Sequence, residues 1–267
     1  MKQGSILNTT TFCARAGLLA LLVLAGCAAP TTEKTEIAPR KPDVILQVAS
    51  LNLSGFNKRF EKSEIAKFSR LLKKEQIDVL SVQGITRYPE LKSRTDFVNE
   101  LVSKTDMRYT FGEMYNSGGR QDGNAIFSQF PQRNNHTDAF DGVKSADFEA
   151  ALQSSVDGGV KDVIVVSALL PAKANETDQS KCLGIIAKKS VALPNQPMIL
   201  TGNLPASTSI RMKDSYDDAD PAGGRKSESD PTTRIWYSND GSLKLMGSRT
   251  VETEFGPMVV AKFGLFR

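Results

Sequence analysis

The chain holds a single histidine, His136, within Asn134-Asn135-His136-Thr137-Asp138. An imidazole near a carboxylate is the simplest general base at neutral pH. The run is polar throughout and lies between strand-like stretches, so His136 reads as an ordinary residue of a surface loop. Chemistry on a hard cation would need clustered carboxylates, and Asp214, Asp217, Asp218 and Asp220 form the densest cluster. Their spacing lacks the alternating ligands and closing Glu of a calcium loop, so the segment reads as solvated loop. Cys182 sits among helix-forming residues and reads as a small core side chain, with nothing local to depress its thiol pKa. Lys73-Lys74 and Lys188-Lys189 close predicted helices, where cations favour the dipole and need no nucleic-acid partner.

A second kind of chemistry is written at the start of the chain. The apolar run Gly17 to Leu24 follows Lys2 and Arg15 and ends in Leu24-Ala25-Gly26-Cys27. This is the charged region, apolar region and small-residue cleavage site of a secretory signal, too short to span a bilayer as a mature helix. Ending on a Cys after two small residues, residues 1–26 resemble a bacterial lipoprotein signal. The resemblance implies cleavage before Cys27 and lipidation of its thiol and new N-terminus. Ala28 and Ala29 lack the Asp that resembles an inner-membrane retention signal in enteric-type bacteria. An anchor in the outer membrane, facing the periplasm, is therefore expected.

Removal of residues 1–26 takes away Lys2 and Arg15 and lowers the formal net charge from +4 to +2. So small a charge argues against a nucleic-acid partner. With Cys27 lipidated, Cys182 has no intramolecular disulfide partner, and the core must hold the fold alone. About 240 residues are enough for that.

Residues 27–42 carry three prolines and almost no large apolar side chain, which predicts an extended, disordered tether. Residues 43–267 read as one domain without internal repeats. Strands are predicted at 44–53, 79–82, 124–128, 148–156, 163–170 and 198–201, with three more at 233–238, 243–250 and 257–266. Helices are predicted at 61–75, from Ile65, Phe68, Leu71 and Leu72, and at 89–104, with Leu91, Phe97, Val98 and Leu101 on one side. A third helix is expected at about 176–189, and 205–231 reads as a long loop.

Six segments in order carry a further likeness: Ala49–Gly55, Ile77–Gln83, Gly123–Pro131, Val165–Pro171, Met198–Asn203 and Arg234–Ser238. Together they resemble the endonuclease/exonuclease/phosphatase superfamily, the deoxyribonuclease-I-like fold. The resemblance implies an α/β architecture: a four-layer αββα sandwich of two packed mixed β-sheets flanked by helices. It also implies hydrolysis of phosphoric esters with a divalent metal, held by carboxylates while an Asp–His pair activates water.

The matching positions depart from that chemistry. Asn52 retains the family's first-strand Asn. Gln83 keeps the Gln of the Gln-Glu pair, but Gly84 stands where the metal-binding Glu belongs. Leu169 replaces the fourth-strand His or Tyr, and Gly202-Asn203-Leu204-Pro205 replaces Gly-Asp-x-Asn. Trp236 occupies the Asp of Arg-Ile-Asp-Tyr, while Glu254 and Phe255 stand for the Asp and His of the terminal Ser-Asp-His segment. These eight positions read as a vestigial cleft. The amides of Asn52 and Gln83 are expected to satisfy backbone at strand ends, and Asn203 to serve a turn needing positive φ. Trp236 and Phe255 are expected to fill the old cleft with apolar surface.

Three functional readings follow. The leading one is a lipid-anchored, non-catalytic binding or scaffolding protein of the bacterial envelope, with no cofactor and either a small ligand or an envelope protein as partner. The alternative is a divergent phosphodiesterase or phosphatase using Mg or Mn, with Glu254 and the acids of 214–220 as the only new ligands available. A third is an assembly lipoprotein acting through a protein partner, with the cleft irrelevant.

Overall fold

The computed structural model describes residues 40–143, 149–171, 174–191, 196–204, 216–218, 233–238 and 241–267. The signal, Cys27 and most of the predicted tether lie outside this set, as do Asp214 and Asp220. Residues Lys41–Arg267 make one contact unit.

Apolar, β-branched runs produce the central strands. β1 (Val44–Asn52) lies parallel to β2 (Val79–Arg87) and antiparallel to the C-terminal β12 (Gly256–Leu265). With β3 (Arg108–Ser117), β4 (Arg120–Ser128) and β11 (Leu243–Thr253) they form one mixed sheet in the order β11-β12-β1-β2-β4-β3. The second sheet holds β5 (Gln132–Ala139), β6 (Ala150–Asp157), β7 (Asp162–Ala168), β8 (Met198–Asn203), β9 (Tyr216–Asp218) and β10 (Thr233–Ser238). Its order is β5-β6-β7-β8-β10-β9, with β7 and β8 parallel.

The period-two alternation of a strand sorts its side chains between layers. In β1, Leu46 and Val48 face the second sheet, where they pack with Val163, Val165, Ile199 and Ile235. Ala49 and Leu51 face the other way, onto α1 (Lys62–Lys74) and α2 (Phe97–Thr105). α1 presents Ile65, Phe68 and Leu72 to that sheet and turns its lysines outward. On the far side, α3 (Glu176–Val191) lays Cys182, Leu183 and Ile186 against Ile164, Val166 and Leu200 of the second sheet. The result is the four-layer αββα sandwich that the resemblance implies.

Several elements differ from expectation. The second helix begins at Phe97 rather than residue 89, because Asp96 caps it by accepting from the Asn99 amide at 2.9 Å. Residues 89–95 are turns, and Leu91 is exposed rather than facing the core. His136 lies in strand β5, not in a loop, and its imidazole is 3.2 Å from Asp138. β3 is a strand with no predicted counterpart. Within the predicted 205–231 loop, Asp217 and Asp218 belong to strand β9, which pairs with β10.

Among the described residues no helix is long and apolar enough to cross a membrane.

Candidate functional site: a closed polar seam beside a basic groove

Two pairs of parallel strands, β1/β2 and β7/β8, bring most of the matched segments together, with Asn52 registered against Gln83 and Ala168 against Gly202. Serine and threonine at inward-facing positions then meet between the sheets. The fully buried Gln83 amide donates to Ser81 Oγ at 2.8 Å and, across the interface, to Ser167 Oγ at 3.1 Å. Its oxygen accepts from Ser50 Oγ at 3.4 Å. Thr201 Oγ1 lies 2.6 Å from Ser81 Oγ and donates its one proton to the Val166 carbonyl at 2.7 Å, so it accepts from Ser81. Asn124 donates to the Ala150 and Ser167 carbonyls at 3.0 and 3.1 Å, and its oxygen accepts from the Gly84 amide at 3.0 Å.

Every member of this seam is neutral and has a partner, which is the condition for burying polar groups without a large penalty. Gln83 therefore binds side chains rather than the backbone groups expected of it. Asn52 does serve the backbone: its Oδ1 accepts from the Ser54 amide at 3.0 Å. Asn203 closes both backbone groups of Leu170, accepting from its N–H at 2.5 Å and donating to its carbonyl at 2.6 Å. The positive φ of this turn belongs to Gly202, at 140°, and not to Asn203.

Gly84 sits at φ 67°, where the β2–β4 register shifts between Val82 and Ile85. A Cβ built there would lie 2.6 Å from Ser54 Cα, 2.7 Å from Ser54 Cβ and 2.8 Å from Ser54 N. The chain leaving β1 thus packs directly onto this glycine.

The two aromatic side chains at matched positions, Trp236 and Phe255, do not meet in one cleft. Trp236 pairs in register with Leu200 and joins the outer cluster beneath α3, with Phe140, Leu170 and Leu204. Phe255, on the β11–β12 hairpin, folds onto α1 and α2, making edge-on contacts with Phe56, Phe60, Phe68 and Phe97 at 5.4–5.8 Å. Its neighbour Glu254 is exposed. Leu169 is half-buried just past β7, its N–H donating to the Ala150 carbonyl at 3.1 Å. Cys182 is buried, and burial pushes its thiol pKa up to about 11. Among the described residues no three His, Cys, Asp or Glu side chains gather as a metal-holding group.

Beside the seam, over Ser54 and Gly84, opens a groove of about 780 Å³. Lys58, Arg59, Lys62, Arg94 and Arg120 line it, against one carboxylate, Glu61. No single motif marks these cations in the sequence. Their one local signal is the density of basic residues at positions 58–62.

Neither a protein-family model nor a curated protein sequence matches the chain. Solved structures do. An endonuclease/exonuclease/phosphatase from Beutenbergia cavernae superposes with a TM-score of 0.66 at 16% identity, covering 84% of this chain and 72% of that one. A family protein from Leptotrichia buccalis matches at TM-score 0.62 and 12% identity, over 82% of this chain and 99% of its own. A humanized D. rerio TDP2 matches at 0.64 and 13%, over 82% and 98%. Two packed mixed sheets, helices on the outer faces and these superpositions together give the chain the fold of the endonuclease/exonuclease/phosphatase superfamily.

Proposed function

We propose that this is a lipid-anchored protein of the bacterial envelope that uses the phosphohydrolase fold for binding or scaffolding rather than for catalysis. The observation that carries the reading is the state of the Gly84 position. The superfamily's metal-binding Glu would need a Cβ where Ser54 already lies within 2.8 Å. The other matched oxygens are also engaged: Asn52 Oδ1 by the Ser54 amide and Asn203 Oδ1 by the Leu170 amide.

These residues do not fit a divalent cation, which takes six or more hard oxygen ligands and favours carboxylates. No catalytic step is therefore routed through Mg or Mn here. A water-activating base is likewise missing from the matched position, because Phe255 is packed among phenylalanines. His136 lies 3.2 Å from Asp138 on the edge strand β5 and does not line the groove over Gly84. The lipobox-like Leu24-Ala25-Gly26-Cys27 supports the anchor, and Ala28-Ala29 supports the outer membrane.

The test is turnover by the full chain with Mg, Mn or Ca on a generic phosphodiester and a phosphomonoester, beside Glu254→Ala. No turnover above buffer is expected. Metal-dependent turnover that Glu254→Ala abolishes would overturn the reading and establish the divergent hydrolase instead. Metabolic labelling with a tagged fatty acid, lost in Cys27→Ser, tests the anchor.

A further inference from the structure

We infer that the basic groove over Ser54 and Gly84 binds a compact multivalent anion, a di- or triphosphate group, without the help of a metal. The inference rests on the non-catalytic reading above and supplies it with a ligand class. None of the groove's cations lies in the six segments that resemble the superfamily.

The cations come from three separate stretches of chain. Lys58, Arg59 and Lys62 lie on the β1–α1 connection and the first turn of α1, Arg94 precedes α2, and Arg120 opens β4. All five are exposed. Arg120 is tied to Asp122 at 2.9 Å. Lys58, Arg59 and Lys62 make no ion pair among the described residues. Arg94 lays its guanidinium over the Tyr88 ring at 4.1 Å, which holds the fork in place and leaves its edge donors to the groove.

Charge is concentrated here beyond what the chain as a whole carries. The chain after residue 26 has a formal net charge of +2, whereas the groove sets Lys58, Arg59, Lys62 and Arg94 against Glu61, with Arg120 offset by Asp122. Like charges crowded into a concavity repel one another, and the same field draws in an anion. A smaller cavity of about 290 Å³ continues past Lys62 and Arg94 and adds Lys92 together with Asp96 and Glu100, which are paired to Arg87 and Lys104.

Size and lining select the ligand. About 780 Å³ suits a small molecule. Ser54, Ser93 and Thr95 add hydroxyl donors suited to phosphoryl oxygens. The aromatic side chains are occupied within the protein, Phe56 stacked on Phe60 at 4.8 Å and Tyr88 under Arg94. That leaves little stacking surface for the bases of a nucleic-acid strand.

The experiment is calorimetric titration of the detergent-solubilised full chain with tripolyphosphate at low salt. The variant is Lys58→Gln/Arg59→Gln/Lys62→Gln; the control, Lys67→Gln/Lys73→Gln/Lys74→Gln, removes the same charge from α1 outside the groove. The groove variant is expected to weaken binding at least about tenfold and the control less than about twofold. Equal weakening by both triples, or no binding by the parent chain, would overturn the inference.

Competition separates the sources of the anion. Tighter displacement by a prenyl pyrophosphate than by inorganic pyrophosphate assigns a lipid head group, and equal displacement assigns a free anion. Phosphorus NMR of the same samples with Mg keeps the two ideas apart. Binding with hydrolysis would retain the groove and overturn the non-catalytic reading. No binding and no hydrolysis would overturn the groove and leave that reading standing.

Discussion

Replacing Gly84 by alanine adds one methyl group and should cost far more than a methyl group usually does. Two effects act together. The residue sits at φ 67°, a left-handed conformation that costs a residue with a Cβ about 1–2 kcal/mol. The new Cβ also falls 2.6–2.8 Å from three Ser54 atoms, two of them backbone, so the chain leaving β1 must move. Forced overpacking of this kind costs about 1–3 kcal/mol. The lower unfolded-state entropy of alanine returns about 0.4–1 kcal/mol. The net loss expected is about 2–4 kcal/mol, a large share of a typical domain's stability.

Urea unfolding of the two proteins, compared at equal m-value, measures it. A second variant locates the cause. In a Ser54→Gly background the 2.7 Å contact disappears, but those with Ser54 Cα and N remain. The cycle should therefore recover less than about 1 kcal/mol. A Gly84→Ala cost below about 1 kcal/mol would refute the argument, because a Cβ would then fit at this position without resistance.

Three other outcomes follow from the same geometry. Gln83→Leu leaves Ser50, Ser81 and Ser167 hydroxyls short of a partner inside the protein and should destabilise it by about 3 kcal/mol, read by the same unfolding assay. Asp78 has its pKa raised above 3.8, chiefly by desolvation and against a hydrogen bond from the Gln47 amide. A raised acid pKa stabilises the fold below the unfolded value and withdraws that stability as pH climbs through the folded value. Asp78→Asn keeps the acceptor and removes the charge, so its stability relative to the parent should rise with pH above 3.8; a flat difference would contradict the burial argument. The Cys182 thiol, buried and with a pKa of about 11, should stay unlabelled by iodoacetamide at neutral pH until urea unfolds the chain, as peptide mass spectrometry would reveal.

The central strands were legible because they are buried on both faces, and burial writes a continuous apolar run: Val44–Leu53 and Val163–Leu170 are such runs. The strands that escaped are at sheet edges. β3, β5 and β9 each terminate a sheet. β5 reads Gln-Arg-Asn-Asn-His-Thr-Asp-Ala, with no apolar alternation to betray it. Ladder hydrogen bonds to β6 hold it, and those leave no mark on side-chain type. The sequence pattern of the helix ending at Thr105 extends back to residue 89 because Leu91 continues its period, whereas Asp96 sets its first turn.

For the site, the residue types at the eight matched positions can be read from the sequence, but their contacts cannot. Apolar plugging by Trp236 and Phe255 is the natural expectation when a Trp and a Phe replace an Asp and a His. The structure uses those rings elsewhere, on opposite outer faces of the sandwich. What fills the space between the strand ends is Ser50, Ser81, Gln83, Asn124, Ser167 and Thr201, residues spread over five strands whose mutual contacts depend on register across two sheets. A period-two hint exists in Ser81-Val82-Gln83, polar on one face within an apolar run. It does not say that Ser167 lies opposite.

This manner of closure bears on what a carboxylate at residue 84 would cost the fold. An apolar plug can be cut back: truncating a Trp or Phe opens a cavity at a cost of about 3–5 kcal/mol and leaves the strands where they were. A polar seam is cooperative, because each member is another's partner, and removing one strands the rest. Gly84 carries the same logic into the backbone. Its amide is bonded to Asn124, which is bonded in turn to the Ala150 and Ser167 carbonyls of the second sheet. Placing a carboxylate at residue 84 therefore requires moving Ser54 and strains the backbone whose N–H holds Asn124 at the junction between the sheets. Gly84→Glu should yield a destabilised protein.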